Sequence, residues 1–176
     1  IFYEGRLQEV DGNKIPAELL TDVWVDIGWT GIASEGNVQF KNGKKPEKLI
    51  KRCLELASSK GDLVLDSFGG SGTTAAVAHK MGRKWITVEL GDQARTHITS
   101  RMNKIIDGQD DTGVTSTTGW KGGGGYRFCY LAPSLLNRDP FGNWVISKEY
   151  NANMLSAAIC KVMGFTYSPS DKDYWN

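Results

Sequence analysis

The residues best suited to chemistry stand in one stretch, Asp66-Ser67-Phe68-Gly69-Gly70-Ser71-Gly72-Thr73-Thr74. Ahead of it runs the apolar Leu63-Val64-Leu65, and behind it the small-residue segment from Thr74 to Met81. A glycine-rich turn between a buried strand and a helix brings backbone N–H groups and the positive helix end to the carboxyl edge of a sheet. Gly69, Gly70 and Gly72 let that backbone approach a ligand with no Cβ in the way. Glu89 closes the next apolar run, Trp85-Ile86-Thr87-Val88, 23 positions after Asp66. That is close to the roughly 20-residue spacing at which a carboxylate grips ribose hydroxyls. The chemistry implied is the binding of an adenosine-type ligand at a sheet edge. Zinc chemistry is not expected, because Cys53, Cys129, Cys160, His79 and His97 are too dispersed to form a site. The three cysteines read as reduced thiols in a cytoplasmic core.

The elements that must position these residues follow from periodicity. Strand, tight turn, helix (Thr74 to Met81, stopped by Gly82) and strand form a βαβ unit, with parallel strands and a right-handed crossover. Leu63-Val64-Leu65 is continuous rather than alternating, as in a strand buried on both faces. Upstream, Pro46 and Glu47 suit the start of a helix whose apolar positions are Leu49, Ile50, Cys53, Leu54 and Ala57. A third helix is expected over Gln93 to Ile106. Residues 1–44 read as an irregular leading segment, 45–108 as the βαβ core and 109–125 as a Gly/Ser/Thr-rich linker unable to order itself. Residues 126–176 read as a small α+β extension, with strands at 126–131 and 144–146 and a helix from Met154 to Met163.

Composition sets the outer limits. The chain has 176 residues, 40% of them apolar, with a formal net charge of +1. That suits one domain, or one domain and an appendage. No run approaches the roughly 20 apolar residues of a membrane span, and Ile1-Phe2-Tyr3-Glu4 lacks the marks of a signal peptide. Lacking an initial methionine, the sequence reads as a fragment or a processed product.

Gly70-x-Gly72-x-x-Ala75 formally matches the dinucleotide fingerprint. Against a nicotinamide ligand stand the longer turn, with Ser67 and Phe68 before the first glycine, and the lack of a recognisable partner half. The fuller pattern Asp66, Phe68, Gly70, Gly72, Thr73 and Thr74 resembles motif I of DNA amino-methyltransferases. Lys44-Lys45-Pro46-Glu47-Lys48-Leu49-Ile50, about twenty residues earlier, is similar to their motif X, and only the permuted β group places motif X just before motif I. Asp22-Val23-Trp24 and Gly122-Gly123-Gly124-Gly125-Tyr126-Arg127-Phe128 are similar to the Mod subunits of type III restriction–modification systems, which are adenine-N6 methyltransferases. The resemblance covers roughly residues 20 to 131.

This resemblance implies an α/β chain with a partial Rossmann-like methyltransferase fold, three-layered α/β/α, carrying a small mixed carboxyl-terminal extension. It implies an S-adenosylmethionine pocket. Asp66, Ser67, Phe68, Gly69, Gly70, Ser71, Gly72, Thr73 and Thr74 would wrap the methionine part, with Phe68 lining the pocket. Glu89 would bind the ribose, and Lys45 and Pro46 would set their helix against the same place. DNA, a restriction subunit and a second methyltransferase copy are the partners implied, in the cytoplasm and away from membranes.

The family's catalytic Asp-Pro-Pro-Tyr-like motif, which holds a flipped-out base, belongs upstream of motif X in this order, and nothing in residues 1–44 fits it. The chain is therefore expected to hold the cofactor half-site without catalytic residues, and without the region that reads the DNA sequence. Asp139-Pro140-Phe141-Gly142 is read as a hairpin turn. Trp24 and Trp29 are read as buried packing rather than a gate, and the alternating Tyr126, Phe128 and Tyr130 as core. The lysines between Lys41 and Arg52 suit either DNA phosphates or a solvated helix face. Two other readings stand beside the first: a nicotinamide-dependent dehydrogenase fragment, and a non-catalytic module for subunit contacts. Residue types alone do not separate adenine-N6 from cytosine-N4 methylation.

Overall fold

The computed structural model describes residues 7–10, 12–16, 21–40 and 43–170. The chain divides into two compact units, Ile1–Gly125 and Tyr126–Asn176.

In the first unit, β1 (Leu7–Val10) and β2 (Asn13–Pro16) pair as an antiparallel hairpin, and a 3-10 segment covers Ile32–Asn37. Helix α1 runs Glu47–Ala57 behind Pro46, whose carbonyl accepts the Leu49 and Ile50 N–H groups. Strand β3 (Leu63–Asp66) pairs in parallel with β4 (Lys84–Thr87), and α2 (Thr73–Lys80) connects them. The expected strand–turn–helix–strand unit is thus present. Beyond it come a π-helical turn (Ala94–Ile98), α3 (Thr99–Ile106) and the short α4 (Thr115–Thr118).

Helix α2 explains the run of small residues. Ala75, Ala76, Val77 and Ala78 are all buried, because α2 lies on the β3–β4 ladder with α1 and α3 beside it. Larger side chains would hold these elements apart. Leu54, Val77, Ala78 and Val114 form a core cluster, with Val64 and Trp85 of the sheet packed on it.

The other face of the ladder corrects one expectation. Leu63, Leu65 and Ile86 are 61%, 65% and 50% exposed, so β3 is not buried on both faces. Side chains alternate along a strand. Val64 and Trp85 therefore turn to the helices, while the odd-numbered leucines and Ile86 face away from the only layer the described residues supply.

The linker reading of 109–125 is corrected too. Asp110 and Val114 are buried, Trp120 Nε1 donates to the Ile105 carbonyl at 2.9 Å, and the Gly123 N–H donates to Ile106 O at 2.7 Å. A polar, glycine-rich stretch orders here because its few apolar and charged side chains reach partners already in the core. Two smaller corrections follow. Cys53 and Cys129 are exposed rather than in a core. Trp29 is also exposed, with Lys45 Nζ lying 6.0 Å from its ring centroid. Trp24, half-buried, stacks against the Arg52 guanidinium at 5.2 Å.

In the second unit, β5 (Leu136–Arg138) and β6 (Trp144–Ile146) form an antiparallel hairpin. Asp139 closes its turn by accepting the Phe141 and Asn143 N–H groups, as the Asp-Pro-Phe-Gly reading expected. Helix α5 runs Ala152–Met163, capped by the Asn151 side chain and ended by Gly164. No strand forms over 126–131. Phe128 and Tyr130 are exposed and pack edge-on against each other, because no neighbouring strand pairs with that segment.

Candidate cofactor site

The site is built where β3 ends. Asp66 is half-buried, and its Oδ1 accepts the Phe68 N–H at 3.0 Å, starting a tight turn. Gly69 is buried, and its N–H donates to Val88 O at 2.8 Å, which ties the turn to the extension of β4. A Cβ at Gly69 would run into Thr87 Oγ1 and Ile98. Gly72, at φ +76°, caps α2, and a Cβ there would lie 3.3 Å from Ile98. Glycine is therefore favoured independently of any ligand, at Gly69 by close approach and at Gly72 by its left-handed φ in a tight space. Gly70 differs. At φ +52° its nearest neighbours to a Cβ are 3.8–4.0 Å away, so its freedom serves the backbone course and leaves an open side.

Glu89 holds the turn from the other strand. Its Oε2 accepts the Gly70 N–H at 2.7 Å and its Oε1 accepts the Gly91 N–H at 2.9 Å. Each oxygen keeps a further lone pair, so the carboxylate is oriented by the backbone and still able to accept hydroxyl donors. The first N–H groups of α2, which begins right after the turn, have no intrahelical partners, as at any helix start. Oriented carboxylate, backbone donors and an open glycine are the donor set that a ribose-bearing, amino-acid-bearing ligand requires. The residues present fit an S-adenosylmethionine-type group.

The other expected residues divide. Ser71 and Thr73 are buried, with their hydroxyls 3.2 Å apart, and Thr74 is half-buried at the helix start. Ser67 is exposed and Phe68 is 90% exposed at the tip of the turn. Pro46 is buried, whereas Lys45 is exposed. The neighbouring Lys44 is the interior one, donating to the carbonyls of Val38 at 2.7 Å, Ala33 at 3.3 Å and Glu35. Burial, reinforced by the nearby Arg101 charge, pushes the Lys44 ammonium down to about 8.

Behind the turn lies a group of charges that periodicity did not reveal. Glu47 and Arg101 are 0% exposed. Arg101 Nη1 donates to Ser71 O at 3.2 Å and to Thr73 Oγ1 at 3.0 Å, while its Nη2 donates to Glu47 Oε1 at 2.6 Å. Glu47 Oε2 also accepts Lys80 Nζ at 2.8 Å and the Val114 N–H at 2.9 Å. Lys80 reaches Asp110 Oδ2 at 2.7 Å. Burial alone would raise the Asp110 carboxyl, but Lys80 and Thr112 outweigh it and hold it below the usual range. Two carboxylates thus face two cations, all four side chains fully buried. Through Arg101 this cluster braces the glycine turn against α1. The only sequence signal was the position of Glu47 directly after Pro46, and it read as a helix-dipole residue.

Among the described residues, no group of three His, Cys, Asp or Glu side chains could hold a metal, and no helix is long and apolar enough to cross a membrane.

Comparison with known proteins finds several relatives of the chain. The chain is 45% identical over 134 residues to a probable type III restriction-modification enzyme HindVI Mod subunit of Haemophilus influenzae, covering 76% of this chain and 18% of that protein. It is 47% identical over 73 residues to the type II methyltransferase M.BamHI of Bacillus amyloliquefaciens, covering 42% of this chain and 17% of the relative. With the DNA adenine methyltransferase YhdJ of Escherichia coli it shares 50% identity over 50 residues, 28% of this chain and 17% of the relative. The chain therefore spans less than one-fifth of the length of these curated relatives. Residues 4–100, more than half of the chain, match the DNA methylase family model, and the chain belongs to that family.

Proposed function

We propose that this chain forms the S-adenosylmethionine-binding part of an adenine-N6 DNA methyltransferase of the type III Mod kind. The observation that carries the reading is Glu89, whose two oxygens are held by Gly70 and Gly91 at the carboxyl edge of a parallel ladder. In it, the Asp66–Thr74 turn takes the amino-acid part of the cofactor and Glu89 accepts the ribose hydroxyls. Lys45 and Pro46 set α1 against the pocket. S-adenosylmethionine, when bound, supplies the methyl group. The exposed Leu63, Leu65 and Ile86 face suits the second helical layer of a three-layered Rossmann-like fold, and the similarity to a Mod subunit supports adenine as the target. DNA, a restriction subunit and a second methyltransferase copy are the proposed partners, in the cytoplasm.

Calorimetry with S-adenosylhomocysteine tests the pocket. The chain binds it, Glu89→Ala weakens binding at least tenfold, and Lys48→Ala leaves it within twofold. Equal losses, no binding by the unaltered chain, or tighter binding of NADH would overturn the assignment. No Asp-Pro-Pro-Tyr occurs in the 176 residues. The chain alone is accordingly expected to transfer no labelled methyl group to duplex DNA, and any transfer would refute that part.

A further inference from the structure

The open side at Gly70 has an aromatic neighbour that comes from outside the glycine turn. A Cβ built at Gly70 would lie 4.0 Å from Phe40 Cζ and 3.8 Å from Phe68 O. The tip of the Phe40 ring and a carbonyl of the turn therefore flank this space. Phe68, the aromatic of the turn itself, is 90% exposed. Phe40 is half-buried, although it precedes α1 in the sequence.

One element serves both sides of the site. The π-helical turn Ala94–Ile98 places Ile98 under the glycines, 3.0 Å from a Cβ at Gly69 and 3.3 Å from one at Gly72. The preceding residue, His97, meets Phe40 edge-on, with ring centroids 5.4 Å apart and planes at 88°, an arrangement that ring pairs prefer. His97 Nε2 lies 3.0 Å from Gln39 O. A carbonyl only accepts, so this nitrogen carries the hydrogen and donates it. His97 Nδ1 lies 2.8 Å from Thr96 Oγ1, and turning the ring would lose both contacts. The approach to Phe40 is held as well. Asn37 takes φ +50°, a conformation that its surroundings must stabilise, and its carbonyl accepts Lys104 Nζ at 3.0 Å. Val38 O accepts Lys44 Nζ at 2.7 Å. Each residue from 37 to 40 is thus anchored, and the ring is delivered to Gly70 in one orientation. Helical turns of the π type are rare and recur at functional sites.

We infer that Phe40 is a ligand-contacting residue of the cofactor site, an apolar wall on the open side of Gly70, and that His97 is the residue that positions it. The inference rests on the proposed cofactor reading and deepens it. In that reading the turn takes the amino-acid part, and Glu89, which accepts the Gly70 N–H at 2.7 Å, takes the ribose. Gly70 stands between the two, where the ligand's ribose and amino-acid parts are joined through sulfur. That middle of the ligand has no hydrogen-bonding group to satisfy. A thioether and a sulfonium are both attracted to aromatic rings, so a ring suits this place whether or not the methyl group is present.

The test is calorimetric titration with S-adenosylhomocysteine, using the full chain, with the denaturant midpoint of each variant measured alongside. Phe40→Ala removes the wall and is expected to weaken binding about tenfold. Phe40→Tyr keeps the ring and adds one oxygen at Cζ, the ring atom nearest Gly70. It is expected to weaken binding about tenfold by crowding the ligand, with the midpoint unchanged. His97→Ala is expected to weaken binding about threefold in the otherwise unaltered chain and to add nothing in Phe40→Ala, because it acts only through the ring. Binding within twofold of the unaltered chain in both Phe40 variants would overturn the inference, and a tenfold loss in Glu89→Ala in the same series would show that the cofactor reading survives it. A loss in Phe40→Ala that comes with a lowered midpoint, while Phe40→Tyr binds normally, would reduce Phe40 to packing and overturn the wall. Equal losses from His97→Ala in the two backgrounds would overturn the positioning role. No binding by the unaltered chain would overturn the cofactor reading and this inference with it.

Discussion

Two glycine clusters in the same unit, Gly69-Gly70-x-Gly72 and Gly122 to Gly125, look alike in composition and behave differently. The first lies between a strand and a helix, where a Cβ at Gly69 would strike Thr87 and one at Gly72 would press on Ile98. The second folds back on the end of α3, where Gly122 packs against the backbone of Gly108 and Ile106 while Gly123 and Gly125 meet nothing. Glycine count thus says little. What decides the role of each residue is the neighbour it admits, and the open side at Gly70 lies beside the Glu89 carboxylate that accepts its N–H.

The largest effect is expected at the brace that holds the first cluster and the segment leading to the second. Glu47 reaches the first through Arg101 and the 110–114 segment through Lys80 and the Val114 N–H. Glu47→Gln would leave buried cations short of a counter-charge, at a cost of about 3–5 kcal/mol, read as a lower denaturant midpoint together with loss of S-adenosylhomocysteine binding. Gly69→Ala should separate the clusters, costing about 1–3 kcal/mol by overpacking and weakening that binding at least tenfold. Gly122→Ala, at φ +104° with Gly108 N 2.9 Å from the new Cβ, should cost about 2 kcal/mol and leave cofactor affinity within twofold in the same calorimetric titration. Smallest is Gly125→Ala, which has open space around it and should shift stability by less than about 0.5 kcal/mol. A loss of cofactor binding in Gly122→Ala would erase the distinction between the clusters.

Much of the first cluster's setting was legible in the sequence, because it is local. Leu63-Val64-Leu65, the turn, the alanines of α2 and the strand before Glu89 lie within thirty residues, and the spacing of one element constrains the next. The Asp139–Gly142 turn and the Gly164 helix end were legible for the same reason. The brace was not. Glu47 and Arg101 are 54 positions apart, and each sits in a helix pattern that treats charge as solvent-facing. Nothing in periodicity distinguishes Lys44, buried, from Lys45, exposed. The ordering of 110–123 was likewise hidden, because it depends on Asp110 finding Lys80 and on Val114 joining Leu54 and Val77. The alternation of Tyr126, Phe128 and Tyr130 misled in the opposite way: a strand-like pattern has no sheet to join.

The separation between Glu47 and its partners also sets an order of events in folding. The β3–α2–β4 ladder closes a short loop, and contacts of low sequence separation form first. The Glu47–Arg101 and Glu47–Val114 contacts bridge 54 and 67 positions, and the ion pairs gain strength only once water has been expelled. The glycine turn is therefore shaped early and locked late. A chain lacking the Glu47 carboxylate should reach its compact form at nearly the usual rate and leave it much faster.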